Sequence, residues 1–386
     1  MELFSASKQW AERPADERFE TIGEMRAATF RYATQAREAT IPFNNIRVEK
    51  VGDDLNLVGR AGTPARLTNF AFGQLSSLAS APASYLRTLP ATLAAQNINH
   101  GLAQRADDAA NDARLLFHQN GGLVLRAVTT DRYERIWNWE LCDRIKGLTD
   151  EGWQVPPARP ATEGDPRTRP ATEADVLALN SSGLSIKVGD LIQPAGLYAS
   201  DHDMFAFLVY EKNRINNGTE NGLARGVFFT NSEVGDGAVT RTTFLYEFVC
   251  GNHIVWGASN VKKLSFVHRG KVRDRLNLME ASMTEYAESS ASEDEAIIKS
   301  AQTRVIAATK DEVLDALFKM RVPDLTKKAI GAAYDLAVVH EKDANAAPNT
   351  VYGMVHGLTR LSQQTNYADE RAALDLAAGK VMQIVF

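Results

Sequence analysis

Hydrophobic and polar positions alternate along "NNIRVEKVGDDLNLVGR", with Ile46 and Val48, then Leu55 and Leu57, set about Gly52-Asp53-Asp54. This pattern predicts a β-hairpin with one buried face. From Phe70 to about Ala103 the spacing turns helical, through Phe70, Leu75 and Leu78, then Tyr85 and Leu89, with Pro90 placed for a first helical turn. Period two returns in "ARLLFHQNGGLVLRAVTTDRYERIW", where Leu115 and Phe117 face Leu123, Leu125 and Ala127 across Asn120-Gly121-Gly122. A second hairpin is predicted there, and a helix from Ile136 to about Lys146, with Trp137, Leu141 and Ile145 four apart.

"VPPARPATEGDPRTRPAT", residues 155–172, holds five prolines and no apolar period, so it reads as a loop or linker. Strand patterns resume in "LSIKVG", "MFAFLVY", "RGVFFTN", "AVTRTTFLYEFV" and "HIVWG". After Lys271 the period is helical: Leu276, Met279, Met283 and Tyr286 share one face. Ser292 with Glu295 and Thr309 with Glu312 have capping-box spacing, and three more helices are expected near 324–341, 349–364 and 368–384. Because strands and helices do not alternate strictly, the expected class is α+β: a mixed, largely antiparallel sheet with flanking helices and an all-helical C-terminal region. The expected division is an α+β core over 1–270, carrying the proline-rich loop, and a helical region over 271–386.

The chain has 386 residues, 44% hydrophobic and 24% charged, enough for a sizeable core. A formal charge of −5 supplies no global field to attract nucleic acid, so any such contact needs a local patch. Two cysteines, Cys142 and Cys250, are too few for a disulfide framework or a four-thiolate zinc site. "MELFSASKQWAERPADERFE" lacks the basic start, apolar stretch and cleavage site of a signal peptide, and no run has the length of a membrane span. The expected location is the cytoplasm.

Several constellations invite chemistry. Ser232 beside Glu233, with His253, suggests a nucleophile, but "TNSEVG" lacks the strained Gly-x-Ser-x-Gly elbow; a polar strand end with Gly235 and Gly237 turning the chain is the plainer reading. Cys250 with His253 suggests a thiolate, yet Cys250 follows Phe244, Leu245, Phe248 and Val249 and reads better as core. "SDHDMF" would put Asp201 and Asp203 on one face of an extended segment, with His202 on the other. Two carboxylates can hold Mg²⁺, though a turn uses aspartate equally well. No metal, cofactor or catalytic residue is therefore assigned, and an enzyme is the less favoured class.

The strongest signal is electrostatic. "VKKLSFVHRGKVRDR" sets Lys262, Lys263, Arg269, Lys271, Arg273 and Arg275 against Asp274 alone, a formal +5, with His268 among them. A basic strand with an aromatic neighbour suits a single-stranded nucleic acid. Arg126, Arg132 and Arg135, with Tyr133 as a stacking ring, could extend that surface, and Arg31 and Arg37 lie on an expected helix. Against this, Glu280, Glu285, Glu288, Glu293, Asp294 and Glu295 follow with no base between them, and the two blocks could neutralise each other.

"FFTNSEVGDGAVTRTTFLYEFVCGNHIVWG" resembles the signature of a phage- and plasmid-borne family, domain of unknown function 932, through Asn231, Ser232, Glu233, Val234, Gly235, Cys250 and Asn252. "SSLASAPASYLRTLPATL", "LVLRAVTTDRYERIWNWEL" and "NTVYGMVHGLTRLSQQT" are similar as well, so the resemblance spans most of residues 70 to 380. His253 departs from the small residue expected after Cys-x-Asn and inherits no role. The resemblance implies a mobile-element gene in a bacterial host and carries no catalytic residue list. Together these readings favour single-stranded DNA binding in recombination or replication, by a homo-oligomer that sums modest contacts. The alternatives are a protein-binding anti-defence factor, using the acidic 280–295 face, and a virion or scaffold protein.

Overall fold

The computed structural model describes residues 17–385 except 53, 60–62, 105–111, 120, 162–167, 182–184, 220–221, 248–251, 255–262, 271, 324 and 366–367. All counts below refer to the described residues.

The chain opens with β1 (Glu17–Phe19) and α1 (Ile22–Thr34), where the Thr21 hydroxyl caps the helix by accepting from Glu24 N at 3.1 Å. Next come β2 (Ala36–Pro42) and the first expected hairpin, β3 (Val48–Val51) with β4 (Asp54–Leu57). β5 (Ala65–Leu67), α2 (Asn69–Leu78) and α3 (Ala91–Gln104) follow, and then the second hairpin, β6 (Asp112–Gln119) with β7 (Leu123–Thr130). These strands form a six-stranded sheet in the order β2-β6-β7-β5-β4-β3, antiparallel except between β5 and β7. Phe72, Leu75 and Ile98 of α2 and α3 pack with Val48, Leu55, Leu115 and Leu125, so the helices cover one face. Pro90 precedes the helix rather than opening it: its carbonyl accepts from Ala94 N. Arg37, expected on a helix, lies in β2.

After α4 (Asn138–Asp150) the proline-rich segment contributes β8 (Arg159–Pro160) and β9 (Arg169–Pro170), followed by α5 (Glu173–Ser181) and β10 (Leu191–Gln193). The small sheet runs β8-β10-β9, so Pro160 and Pro170 lie on its outer strands, where a missing N–H is tolerated. "LSIKVG" forms no strand in its described part. Asn180 Oδ1 takes Ile186 N at 2.8 Å and Asp190 Oδ2 takes Lys187 N at 2.8 Å, so side chains capture the donors a ladder would need.

The central sheet has seven strands. β11 (Leu197–Ala199), β12 (Asp203–Ile215), β13 (Leu223–Ser232), β14 (Val239–Glu247) and β15 (Asn252–Ile254) run on from β1, and β16 (Lys263–Phe266) pairs with β14. All these pairs are antiparallel. Gly226 lies opposite Phe244 across β13 and β14, and a Cβ there would come within 2.3 Å of the ring. Glycine lets Phe244 lie across the strand.

The C-terminal helices are α6 (Val272–Glu288), α7 (Ser292–Thr303), α8 (Lys310–Lys319), α9 (Lys327–Val339), α10 (Val351–Ser362) and α11 (Ala368–Met382). Thr309 and Glu312 make the expected capping box. Ser292 does not: Ala291 caps α7, and the Glu295 carboxylate instead accepts from Asn216 N at 3.0 Å. α6 packs with α1 and α4 on the central sheet, through Met283, Met25, Ile145 and Phe229. α11 reaches the other face, where Ala368 and Ala372 meet Phe205, Phe228 and Phe244. The fold is therefore α+β, and α6 shares the core of the central sheet. No described helix is long and apolar enough to cross a membrane.

Candidate functional site at the junction of two sheets

The end of β13 carries Asn231, Ser232 and Glu233 to the place where the six- and seven-stranded sheets meet. Glu233 is 1% exposed. Its Oε2 takes Arg126 Nη2 at 3.0 Å and its Oε1 takes the backbone N–H of Asn138 at 2.8 Å, in the first turn of α4. A carboxylate at a helix N-terminus meets both unpaired N–H groups and the positive end of the dipole. Arg126, on β7, also donates to the Asp201 carbonyl from Nε at 3.0 Å and from Nη2, and its guanidinium lies 4.4 Å from the Tyr32 ring centroid.

Asn231 Nδ2 donates to Ile136 O at 2.9 Å and to Asn138 Oδ1 at 2.8 Å. Ser232 Oγ donates to His202 O at 2.8 Å and accepts from Asp236 N at 3.1 Å, so its hydroxyl is engaged with backbone. The Tyr133 hydroxyl donates to Ser232 O at 2.6 Å, and Gln74 bridges Val234 O to Val128 N at 2.8 and 2.7 Å. Gly235 has φ +91°, and a Cβ there would lie 3.2 Å from Thr129 Cγ2. The segment 231–235 thus fastens β13 to β7, α2 and α4.

Two cavities of about 500 and 510 Å³ flank this junction and share Thr68, Val124 and Asp201 in their walls. The first is lined by Tyr32, His118, Arg126, Asn138 and Glu233, with Arg31 and Glu17. The second is lined by Asn69, Phe70, Gln74, Arg87 and His202, with Asp369. Residues 185–374 match the family model described as Domain of unknown function (DUF932). The chain carries this domain. No curated protein and no solved structure matches the chain.

The DUF932 match begins after the two hairpins, so Arg126 and Tyr133 lie outside it while their partners Glu233 and Ser232 lie within. Asn231, Ser232, Glu233 and Gly235, singled out in the sequence for their resemblance to the family, gather as described. Asn252 and His253 lie in β15, where their side chains are outside those described, and Cys250 lies outside the described residues. Cys142 is buried, which pushes its thiol up to about 12.

The basic segments fare unevenly. Lys262 and Lys271 lie outside the described residues, as does the side chain of Lys263 on β16. Exposure expected of Arg126 and His268 is corrected: they are 1% and 3% exposed. Burial holds the His268 imidazole below its ordinary value, and its Nδ1 bonds Glu134 O at 3.0 Å. One face of the Tyr133 ring is taken by His268, with centroids 4.7 Å apart. Arg135 is buried and donates to Glu38 at 2.5 Å. Arg273 is held by Glu140 at 3.0 Å and by Glu134 at 3.4 Å. Arg132, Arg269 and Arg275 are exposed.

Among the described residues no ion pair joins the 262–275 block to the 280–295 block. Asp294 is instead buried against Arg225 at 3.2 Å, and Glu280 lies 3.8 Å from Arg144. The "SDHDMF" carboxylates are arranged differently from an extended segment, because β12 starts at Asp203 and leaves Asp201 and His202 in a turn. His202 lies between the carboxylates rather than opposite them, with Nδ1 3.1 Å from Asp201 Oδ1 and Nε2 3.4 Å from Asp203 Oδ2. Asp236 joins this group, and the ligand atoms of His202, Asp203 and Asp236 lie within 4.8 Å of one another, close enough to hold a cation. Sequence reasoning missed Asp236, His118 and Tyr32; only Asp236 carried a signal, its place one residue beyond Gly235.

Proposed function

We propose that this chain binds nucleic acid, single-stranded DNA above all, in the recombination or replication of a mobile element in the cytoplasm of a bacterial host. The observation that carries this reading is the joining of the two basic segments. Glu134 N donates to His268 O at 2.8 Å, His268 Nδ1 bonds Glu134 O, and the Tyr133 and His268 rings stack, so the exposed Arg132 and Arg269 flank one junction. A second support is that the acidic 280–295 block takes none of these cations among the described residues.

The same surface is modest in strength. Arg273 is neutralised by Glu134 and Glu140, which leaves Arg132, Arg269 and Arg275 as the other exposed described cations of the two basic segments. Three phosphate contacts give log K against log salt a slope of about −2 on single strands. Oligomerisation would raise avidity by repeating such a patch along one strand. The anti-defence reading is weaker, since Asp294 is buried and Glu295 is tied to Asn216.

The test is a gel shift with single- and double-stranded oligonucleotides, beside a mass measurement in solution. The expected result is binding that prefers single strands, weakens with salt at that slope, and falls at least tenfold in the combined Arg132→Glu, Arg269→Glu, Arg275→Glu variant. A flat salt response, or binding unchanged in that variant, overturns the proposal.

A further inference from the structure

His202, Asp203 and Asp236 come together from two turns at the open end of the β12–β13 pair. Ser232 ties those turns to each other. Its Oγ donates to His202 O and accepts from Asp236 N, and Ser232 itself lies opposite Asp203 in the ladder. One hydroxyl thus sets the backbone on both sides of the cluster.

The side chains are aimed as well. His202 Nδ1 faces Asp201 Oδ1 at 3.1 Å and Ser200 Oγ at 3.2 Å, which turns Nε2 toward Asp203 Oδ2 at 3.4 Å and Asp236 Oδ2 at 3.9 Å. A carboxylate on the far nitrogen is the usual way a metal-binding imidazole is oriented. Ser200 Oγ donates to Asp203 Oδ1 and so leaves Oδ2 on the His202 side, while the Phe70 ring stacks on the imidazole with centroids 5.9 Å apart. A ring N–H bonded to a carboxylate oxygen stands about 2.7–3.2 Å from it, whereas nitrogen and oxygen atoms that share a tetrahedral cation at about 2.0–2.1 Å lie about 3.3 Å apart. The spacings around Nε2 match the second case better.

Burial divides the three ligands. The His202 and Asp203 side chains are 13% and 11% exposed, and Asp236 is 49% exposed. Two ligands are therefore set in the fold and the third forms an outer lip. His202 and Asp201 also line the second cavity, so the site opens onto a space of about 510 Å³ that water can enter.

We propose that His202 Nε2, Asp203 Oδ2 and Asp236 Oδ2 bind one divalent transition-metal ion, Zn²⁺ or Mn²⁺, with water completing the shell and with Asp201 and Ser200 as positioning residues. The imidazole ligand favours these ions over Mg²⁺ and Ca²⁺, which take oxygen. The site goes beyond the nucleic-acid reading and does not rest on it.

The experiment is calorimetry and thermal shift on the full, tag-free chain, stripped with chelator and titrated with Zn²⁺, Mn²⁺, Mg²⁺ or Ca²⁺. One Zn²⁺ or Mn²⁺ per chain is expected to bind and to raise the melting temperature, with Mg²⁺ and Ca²⁺ at least tenfold weaker. Asp236→Asn changes the exposed lip without loss of volume, and His202→Gln removes the imidazole; each is expected to weaken Zn²⁺ and Mn²⁺ binding at least tenfold. His100→Gln, at an exposed histidine of α3, is expected to leave binding unchanged. The proposal is overturned by a wild type that binds neither ion at millimolar concentration. It is equally overturned by Zn²⁺ and Mn²⁺ binding that persists in folded Asp236→Asn and His202→Gln, or by Mg²⁺ binding as tightly as Zn²⁺.

Discussion

At the residue scale, Glu233 shows what a buried carboxylate at a strand end does for the fold. Its carboxylate and the Arg126 guanidinium, 107 positions earlier in the chain, are each 1% exposed. Removing one partner of such a pair strands a buried charge and costs about 3–5 kcal/mol. Glu233→Gln is therefore expected to lower the unfolding free energy by that amount, read as a shift of the urea midpoint at unchanged slope. Gly235 is a second point of strain: alanine at φ +91°, 3.2 Å from Thr129, is expected to cost about 1–3 kcal/mol in the same measurement. The sequence announces the strand end through its polar residues and glycines. It is silent about Arg126, because a guanidinium inside a basic stretch looks the same whether it faces water or a distant carboxylate.

At the element scale, local patterns carried furthest. The alternation in 46–57 and 115–127 made both hairpins legible, and the apolar period after Lys271 marked the C-terminal helices, because each pattern is set by the element's own buried face. Where side chains seized backbone donors the pattern misled, as at Asn180 and Asp190 beside "LSIKVG". α11 holds a feature that no pattern reveals. Its Asp375 is fully buried and takes the Ser362 hydroxyl of α10 at 2.6 Å, and desolvation pushes its carboxyl up to about 7. The folded pKa lies above the unfolded value of about 3.9, so the native state holds more protons between the two. Stability is expected to fall as pH rises from about 4 to 7, and to level off above. Urea midpoints at pH 5 and pH 8 check this. Asp375→Asn, which cannot ionise, should lose that part of the slope.

At the scale of the whole molecule, two buried ion pairs span its layers: Arg126 with Glu233 between the sheets, and Arg225 of β13 with Asp294 of α7. Arg225 also donates to Ser289 O at 2.7 Å and Ser290 O at 3.2 Å, closing the turn between α6 and α7 onto the central sheet. In the sequence Asp294 belongs to an acidic run, and a charge run ordinarily faces solvent. The fold takes this one member inward because the preceding turn brings it to the guanidinium. The energetics separate attachment from net stabilisation. Each charge loses its hydration on burial, and the attraction between them roughly offsets that loss, so the pair fixes where α7 docks more than it adds stability. Asp294→Asn alone is expected to cost about 3–5 kcal/mol and to raise hydrogen exchange across α7, since the buried guanidinium keeps its carbonyl partners but loses its counter-charge. Arg225→Met combined with Asp294→Leu is expected to recover most of that loss. If the double variant is as unstable as the single one, the pair contributes net stability here, and the docking of α7 depends on charge itself rather than on filled volume.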